Sequence, residues 1–219
     1  MLKQFAIIGL GRFGSSLAMT LTKLGAEVLA VDLDAEKVRQ IAPVVTEAVE
    51  ADATSESVLN ELGVKNFDVV VVAISGFEAS LLVTLYLKQL GVRQVVVKAA
   101  SDVHGKILKS VGADTVVFPE KDMGRRLAYS LVSGSVIDYI ELSEDYGVIE
   151  IGVQGTLVGQ TLRRLDLRNK MGFNIVAIKR NNHIDMHVNP DEPLREQDIM
   201  IAIGPNDGIH RLNEILERR

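Results

Sequence analysis

Glycines at positions 9, 11 and 14 form the run Gly9-Leu10-Gly11-Arg12-Phe13-Gly14, and an acid, Asp32, follows Gly11 by 21 residues. These types at this spacing suit a nucleotide phosphate. Gly9 permits a tight turn after a strand, Gly11 lets a phosphate approach bare backbone, and Gly14 lets the next helix pack closely on the strand. A helix opening near Arg12 aims its free N–H groups at an anion. Asp32, at the end of the following strand, can accept hydrogen bonds from ribose hydroxyls. The glycine run alone is a weak signal. The strand before it, the helix after it and the acid beyond make it specific.

Other residues fall where a ligand on such a scaffold lies. Arg12 sits inside the turn, where its guanidinium can meet a phosphate of its own site or a neighbour's, or can point to solvent. Asp52 and Ala53 follow a third strand; Asp52 can read adenine or ribose, or can make a turn ahead of a helix capped by Thr54 or Ser55. Ala73, Ile74 and Ser75 stand at the carboxyl end of a fourth strand, beside the crevice where ligands bind open α/β sheets. Lys98 closes the fifth strand. Glu120 and Asp122 follow Pro119 at a helix start, where the helix dipole alone favours acids.

Nothing comparable points to catalysis. The four histidines, His104, His183, His187 and His210, form no ligand set, and His183 and His187 are expected beside a surface hairpin. No Ser-His-Asp order, H-E-x-x-H or G-x-x-x-x-G-K-[ST] run occurs. Cysteine is absent, which excludes disulfides and thiolate metal sites. A dehydrogenase would need an acid or base at the nicotinamide, and the C-terminal part of the chain offers no obvious candidate. The reading is therefore a protein that is not an enzyme, with an NAD(H)-dependent oxidoreductase or a free-standing nucleotide sensor as the alternatives.

Charge narrows the partners. Twenty-four basic and 29 acidic side chains give a net charge of −5, without the basic footprint of a nucleic-acid binder. The one dense basic cluster, Arg163, Arg164, Arg168 and Lys170, contains Asp166 and reads on its own as a solvated helix face. No apolar run approaches the ~20 residues of a membrane helix, and the first residues read as a strand rather than a signal peptide. A soluble, cytoplasmic protein is expected. The mean hydropathy of +0.19 is high for one; strands buried on both faces of a parallel sheet are the main explanation, apolar subunit contacts the other.

The elements that must position these residues follow a βαβ rhythm. Strands are expected over 4–8, 27–31, 47–50, 69–73, 94–98 and 115–118, and helices over 12–24, 35–41, 55–62, 78–90 and 103–111. Gly25, Gly63, Gly91 and Gly112 are placed to end helices in left-handed caps. The run Val69-Val70-Val71-Val72-Ala73-Ile74 has no polar alternation and suits a central strand. A further helix covers 120–132. The pattern implies a Rossmann-type α/β domain with a doubly wound parallel sheet. Beyond residue 137 the texture becomes short and β-rich: segments 138–142, 146–152, 175–179, 184–188 and 199–203, a short helix near Gln160 and another over 207–216. A small α+β domain is expected there, with domains spanning 1–137 and 138–219.

At this level the chain resembles a known family: the cytosolic regulatory subunits of bacterial Ktr and Trk potassium transporters, which carry an RCK (KTN) domain and an RCK C-terminal domain. The matching stretches are 5–14 (FAIIGLGRFG), 24–32 (LGAEVLAVD), 51–54 (ADAT), 63–68 (GVKNFD) and 119–124 (PEKDMG), then 167–172 (LRNKMG), 175–179 (IVAIK) and 195–198 (REQD). Residues 152–159 and 181–187 are individual to this chain. The length suits the single-repeat Ktr type.

The resemblance implies an octameric ring of dimers beneath a membrane potassium transporter, peripheral to the inner face of the membrane. It implies ATP or ADP in the Rossmann site, with ATP favouring the conducting state. Gly9, Gly11, Arg12, Gly14, Asp32 and Asp52 fall on the family's nucleotide positions; Phe13, Ala53, Ala73, Ile74 and Lys98 complete the candidate set. Glu120 falls on the acid that helps hold a divalent cation, Mg²⁺ or Ca²⁺, at the phosphates between two subunits. In the C-terminal domain the resemblance implies cyclic di-AMP at a dimer interface, contacted by Arg168, Asn174 and Ile175, with Leu162 and Pro190 as apolar walls.

Overall fold

A strand that turns sharply at Gly9 begins the first unit of the fold. The computed structural model describes residues 3–132, 135–181 and 183–208. In order come β1 (Gln4–Ile8), α1 (Arg12–Lys23), β2 (Glu27–Asp32), α2 (Ala35–Ile41), β3 (Glu47–Glu50), α3 (Glu56–Glu61), a 3₁₀ turn (Val64–Asn66), β4 (Val69–Val72), α4 (Phe77–Gln89), β5 (Val95–Lys98), α5 (Asp102–Ser110) and β6 (Thr115–Val117). The six strands are all parallel, in the order β3-β2-β1-β4-β5-β6. That order reverses direction between β1 and β4, which is where a crevice opens at the carboxyl edge.

Alternation along each strand feeds two cores. Ala6, Ile8, Val70, Val72, Val95 and Val97 pack on one face of the sheet. Ile7, Val28, Ala30 and Val71 pack on the other. With both faces covered, β4 has no use for a polar residue, which accounts for its unbroken valines. The four expected helix-ending glycines, Gly25, Gly63, Gly91 and Gly112, all have positive φ, from +65° to +106°.

The chain divides into two units, Met1–Glu120 and Lys121–Arg219. After α6 (Pro119–Val132) the second unit contains β7 (Val136–Glu141), β8 (Tyr146–Gly152), a 3₁₀ turn (Gly155–Leu157), α7 (Leu162–Leu165), α8 (Leu167–Met171), β9 (Asn174–Arg180), β10 (His183–Asp185) and β11 (Ile199–Pro205). Its sheet runs β10-β9-β11-β8-β7, antiparallel throughout. Tyr139, Ile149, Ile151, Phe173, Leu194 and Met200 form its core. α6 joins through Tyr129, whose ring centroid lies 4.3 Å from that of Tyr139, and through ion pairs of Arg125 with Glu141 and Arg126 with Asp138.

Local chemistry explains where the elements depart from expectation. The helix expected near Gln160 is two short ones, because Asp166 between them adopts φ +48°. The strand expected over 184–188 stops at Asp185, whose Oδ1 accepts the His187 N–H at 2.8 Å and turns the backbone. Most of the helix expected over 207–216, and His210 with it, lies outside the described residues.

Two glycines of the first turn are there for the fold. Gly9 has φ +99°, and a Cβ on it would sit 2.9 Å from the Ala73 carbonyl carbon and the Ile74 nitrogen. A Cβ on Gly14 would lie 1.9 Å from the Gly9 carbonyl oxygen. Neither backbone can give way without moving α1 off the sheet. Gly14→Ala should therefore cost about 3 kcal/mol or more, at the upper end of overpacking penalties. Gly11, with φ −68°, has no such contact, and Gly11→Ala should cost under about 1 kcal/mol, as a helix-cap change. Equal denaturation midpoints for the two variants would contradict this division of roles.

Candidate functional site

The turn after β1 is held open by backbone bonds to its neighbours: the Gly9 N–H donates to Val31 O at 2.8 Å and the Ala73 N–H to Ile8 O at 2.7 Å. A cleft of about 310 Å³ opens above it, in the size range of small-molecule sites. Of the sequence-assigned residues, Gly9, Gly11, Asp32, Asp52, Ala53, Ala73 and Ile74 line this cleft, joined by Lys37, Thr54 and Ser75. At Gly11 a Cβ would meet nothing within 4 Å. The fold leaves that space empty, so a side chain there would fill only the cleft. Bare backbone at the N-terminus of the 12-residue α1 is what an anion needs.

Asp32 is tied into the turn. Its Oδ2 accepts the Leu10 N–H at 2.6 Å, its Oδ1 accepts the Asp34 N–H at 2.9 Å, and Lys37 Nζ lies 3.4 Å from Oδ1. Burial works against its charge, but these N–H donors and the Lys37 ammonium outweigh it and lower its pKa. The carboxylate keeps lone pairs for a hydroxyl donor. Asp52 makes the turn that was one of its two readings: its Oδ1 accepts both Thr54 N–H, at 2.9 Å, and Thr54 Oγ1–H, at 2.6 Å, and these bonds lower its pKa. Ser55 precedes α3 without a side-chain cap bond. Since Asp52 also lines the cleft, turn and contact are compatible roles.

A second cleft, also about 310 Å³, shares Ile74 and Ser75 with the first and is otherwise lined by Lys98, Ala100, His104 and Glu120. Lys98 Nζ reaches Glu120 Oε1 at 3.2 Å and Ser75 Oγ at 3.4 Å. Glu120 accepts its own backbone N–H and the Lys98 bond, and Arg12 adds attraction, so its pKa is lowered. Arg12 and Phe13 line neither cleft; Arg12 is exposed and Phe13 half-buried. Gly14 is buried packing. No group of three or more His, Cys, Asp or Glu side chains that could hold a metal occurs among the described residues. Glu120 is the one carboxylate lining the second cleft, and Lys98 already holds it.

In the second unit Arg163, next to Leu162, is tied to the segment that holds Pro190: the Arg163 N–H donates to Pro190 O at 3.0 Å, and the Arg163 side chain donates to Asp191 at 2.6 and 2.9 Å. Leu162 and Ile175 both pack against the core. Arg168 on α8 and Asn174 at the start of β9 are exposed and make no side-chain hydrogen bond among the described residues. His183 and His187 are exposed at the β9–β10 hairpin, as expected.

Residues 5–119 match the TrkA-N domain and residues 140–217 the TrkA-C domain. Ktr system potassium uptake protein C of Bacillus subtilis (strain 168) is 47% identical over 215 residues, 98% of this chain and 97% of that protein. This chain belongs to the Ktr potassium-uptake family. Ktr system potassium uptake protein A of Vibrio alginolyticus is 36% identical, over 94% of each chain. Among solved structures, the GsuK RCK domain has the same fold, with a TM-score of 0.71 at 18% identity over 100% of this chain and 48% of that one. The NAD(P)-binding domain of an exopolyphosphatase-related protein from Archaeoglobus fulgidus is 26% identical, with a TM-score of 0.53, over 58% of this chain and 96% of that one. No helix among the described residues of this Ktr-family chain is long and apolar enough to cross a membrane.

Two functional-site features escaped the sequence reading. Lys37 beside Asp32 is one; its place in the first turn of α2 was the available signal. His104 is the other. It is 2% exposed, four residues before buried Leu108 on the same helix face. Its Nδ1 accepts the Ala100 N–H at 3.3 Å. Its Nε2 meets Ser80 Oγ at 2.9 Å, and that hydroxyl already donates to Phe77 O. The imidazole is therefore neutral, with its proton on Nε2.

Burial lowers the His104 pKa below its ordinary 6.5. The unfolded chain then binds more protons than the folded one between the two values, so stability rises with pH there. His104 contributes fully above about pH 6.5 and its contribution is lost as pH falls, by up to about 1.4 kcal/mol per pH unit. Urea titrations from pH 8 to pH 5 should show that slope, and His104→Gln should flatten it. An unchanged slope in the variant would remove His104 as its source.

Proposed function

We propose that this chain is the cytoplasmic regulatory subunit of a bacterial potassium transporter, binding a nucleotide in the cleft above the Gly9–Gly14 turn to control potassium flux through a membrane partner. The full-length match to Ktr potassium uptake proteins carries the reading. The cleft supports it: a bare-backbone turn at a helix N-terminus for phosphate, and Asp32 and Asp52 toward the ribose and base. The likeness to an NAD(P)-binding domain at 26% identity favours a nucleotide in the same place. We assign ATP or ADP as the ligand, with NAD(H) as the alternative, and the protein acts by binding, not as an enzyme.

A gating subunit works only if its ligand prefers one assembly state, which fits a ring of eight copies arranged as dimers. Such a ring would place a divalent cation at the phosphates only by combining Glu120 from two copies with phosphate oxygens, since hard cations want six or more oxygen ligands. We take 1–137 as the nucleotide-binding domain and 138–219 as the C-terminal domain, with α6 as the connecting helix, which from Lys121 onward packs with the second unit. In the C-terminal domain, we assign an anionic dinucleotide such as cyclic di-AMP to the exposed Arg168 and Asn174 with the apolar Leu162, Ile175 and Pro190. Nucleic acid is not a partner on the net charge of −5.

Calorimetric titration of ATP, ADP, NADH and cyclic di-AMP against the full chain tests the assignments. Gly11→Val should lose ATP and ADP binding while melting near wild type, because its side chain occupies only the cleft. A variant that binds both as well as wild type does would defeat the nucleotide reading. Arg168→Ala should weaken cyclic di-AMP roughly tenfold, the loss of one charge-assisted bond, and leave ATP binding unchanged. Cyclic di-AMP binding that ignores this substitution would put the ligand elsewhere.

A further inference from the structure

His104 lines the second cleft although it is 2% exposed, and both of its ring nitrogens are committed. Nδ1 accepts the Ala100 N–H and so carries no proton. Nε2 meets Ser80 Oγ. The ring thus fastens two segments together: the turn after β5, through Ala100, and the start of α4, through Ser80. Phe77, the first residue of α4, adds a second hold. Its ring centroid lies 4.8 Å from that of the imidazole, and its carbonyl accepts the Ser80 hydroxyl. A protonated ring would set an N–H against the Ala100 N–H, donor facing donor, and that anchor would be lost.

What His104 fastens belongs to the first cleft. The chain leaves β4 through Ala73, Ile74 and Ser75, which line that cleft, and passes over Gly76 into α4. Ala79, next to Ser80, lines it too. One end of this wall is held by the Ala73 N–H bond to Ile8 O. His104 holds the other end. The charged groups around the ring do little to set its protonation. Lys98 and Glu120 share its cleft and pair with each other, and Glu78 and Asp102 stand in the first turns of α4 and α5. Burial is what lowers its pKa.

We propose that His104 is a positioning residue for the nucleotide: as a neutral imidazole it holds the 73–79 wall of the first cleft, and taking up a proton frees that wall and weakens binding. This inference rests on the nucleotide reading of the first cleft. Ligand and proton then oppose each other. A nucleotide that needs the wall fixed weakens the hold of His104 on a proton, and by linkage the proton weakens the hold on the nucleotide by the same factor. Affinity is therefore full above about pH 6.5, the ordinary imidazole value, and falls as pH drops through the lowered value of His104. For one group the loss is at most about tenfold per pH unit.

The test is calorimetric titration of ADP against the full chain, with a metal chelator, between about pH 8 and pH 5.5 for wild type, His104→Asn and His104→Gln. Asn sets an acceptor oxygen near the Nδ1 position and Gln near the Nε2 position, and neither titrates. The phosphates of ADP also titrate in this range, but alike for all three proteins. At the alkaline end His104→Asn should bind ADP as wild type does, which also shows it folded. Toward the acid end wild type should lose several-fold more affinity than either variant. It should also release more protons on binding than they do, read from the binding enthalpy in two buffers of different ionisation enthalpy. A wild-type profile parallel to those of both variants would overturn the assignment, whether the variants bind as tightly as wild type or uniformly more weakly. Failure of wild type to bind ADP at any pH would instead bring down the nucleotide reading beneath it.

Discussion

The carbonyl oxygen of Gly9 lies 1.9 Å from where residue 14 would otherwise carry a Cβ, and the first unit is built on that near-contact. It lets the start of α1 settle directly on the end of β1. From there α1 can direct its unpaired N–H groups over the sheet edge. β4 also comes close: a Cβ on Gly9 would lie 2.9 Å from both the Ala73 carbonyl carbon and the Ile74 nitrogen. Asp32 holds the turn from the other side through the Leu10 N–H. A turn gripped on both flanks is held by the fold itself, which is what preorganised anion recognition requires.

Charge across the carboxyl edge is sorted by strand. Asp32 and Asp52, both with lowered pKa, stand beyond β2 and β3. The cation Lys98 stands at the end of β5. The turn, with its partial positive charge, lies between them. A ligand with hydroxyl donors at one end and accumulated negative charge at the other fits this order in one direction only. The reverse placement would set phosphates against two carboxylates and sugar hydroxyls against an ammonium.

The sheet order, the glycine turn and Asp32 were legible in the sequence because each depends on local pattern: strand runs, helix-ending glycines, one acid at a fixed distance. Gly11 was picked out for its chemistry, and the structure adds that a Cβ there would touch nothing within 4 Å. What pattern could not supply was pairing between distant strands. Lys98 ended a strand in the sequence, but its bond to Glu120 joins residues 22 apart that only the β5–β6 connection brings together. The burial and bonding of His104 failed to register for the same reason: its partner Ser80 is 24 residues away on α4. In the second unit, Asp166 and Asp185 redirected the backbone by conformations and side-chain bonds that composition does not reveal.

Glu120 is where these lines meet. It is the last residue of the first unit and the second residue of α6, the helix that leads the chain into the second unit. Its carboxylate also accepts its own backbone N–H, so it is part of the helix start and part of the Lys98 pair at once. The Lys98–Glu120 pair thus ties the start of α6 to the end of β5. Taking an even two-state equilibrium to 90:10 needs only about 1.3 kcal/mol, a size that one charge-assisted contact can reach. With its carboxylate exposed, this pair holds the start of α6 more weakly than a fully buried pair would.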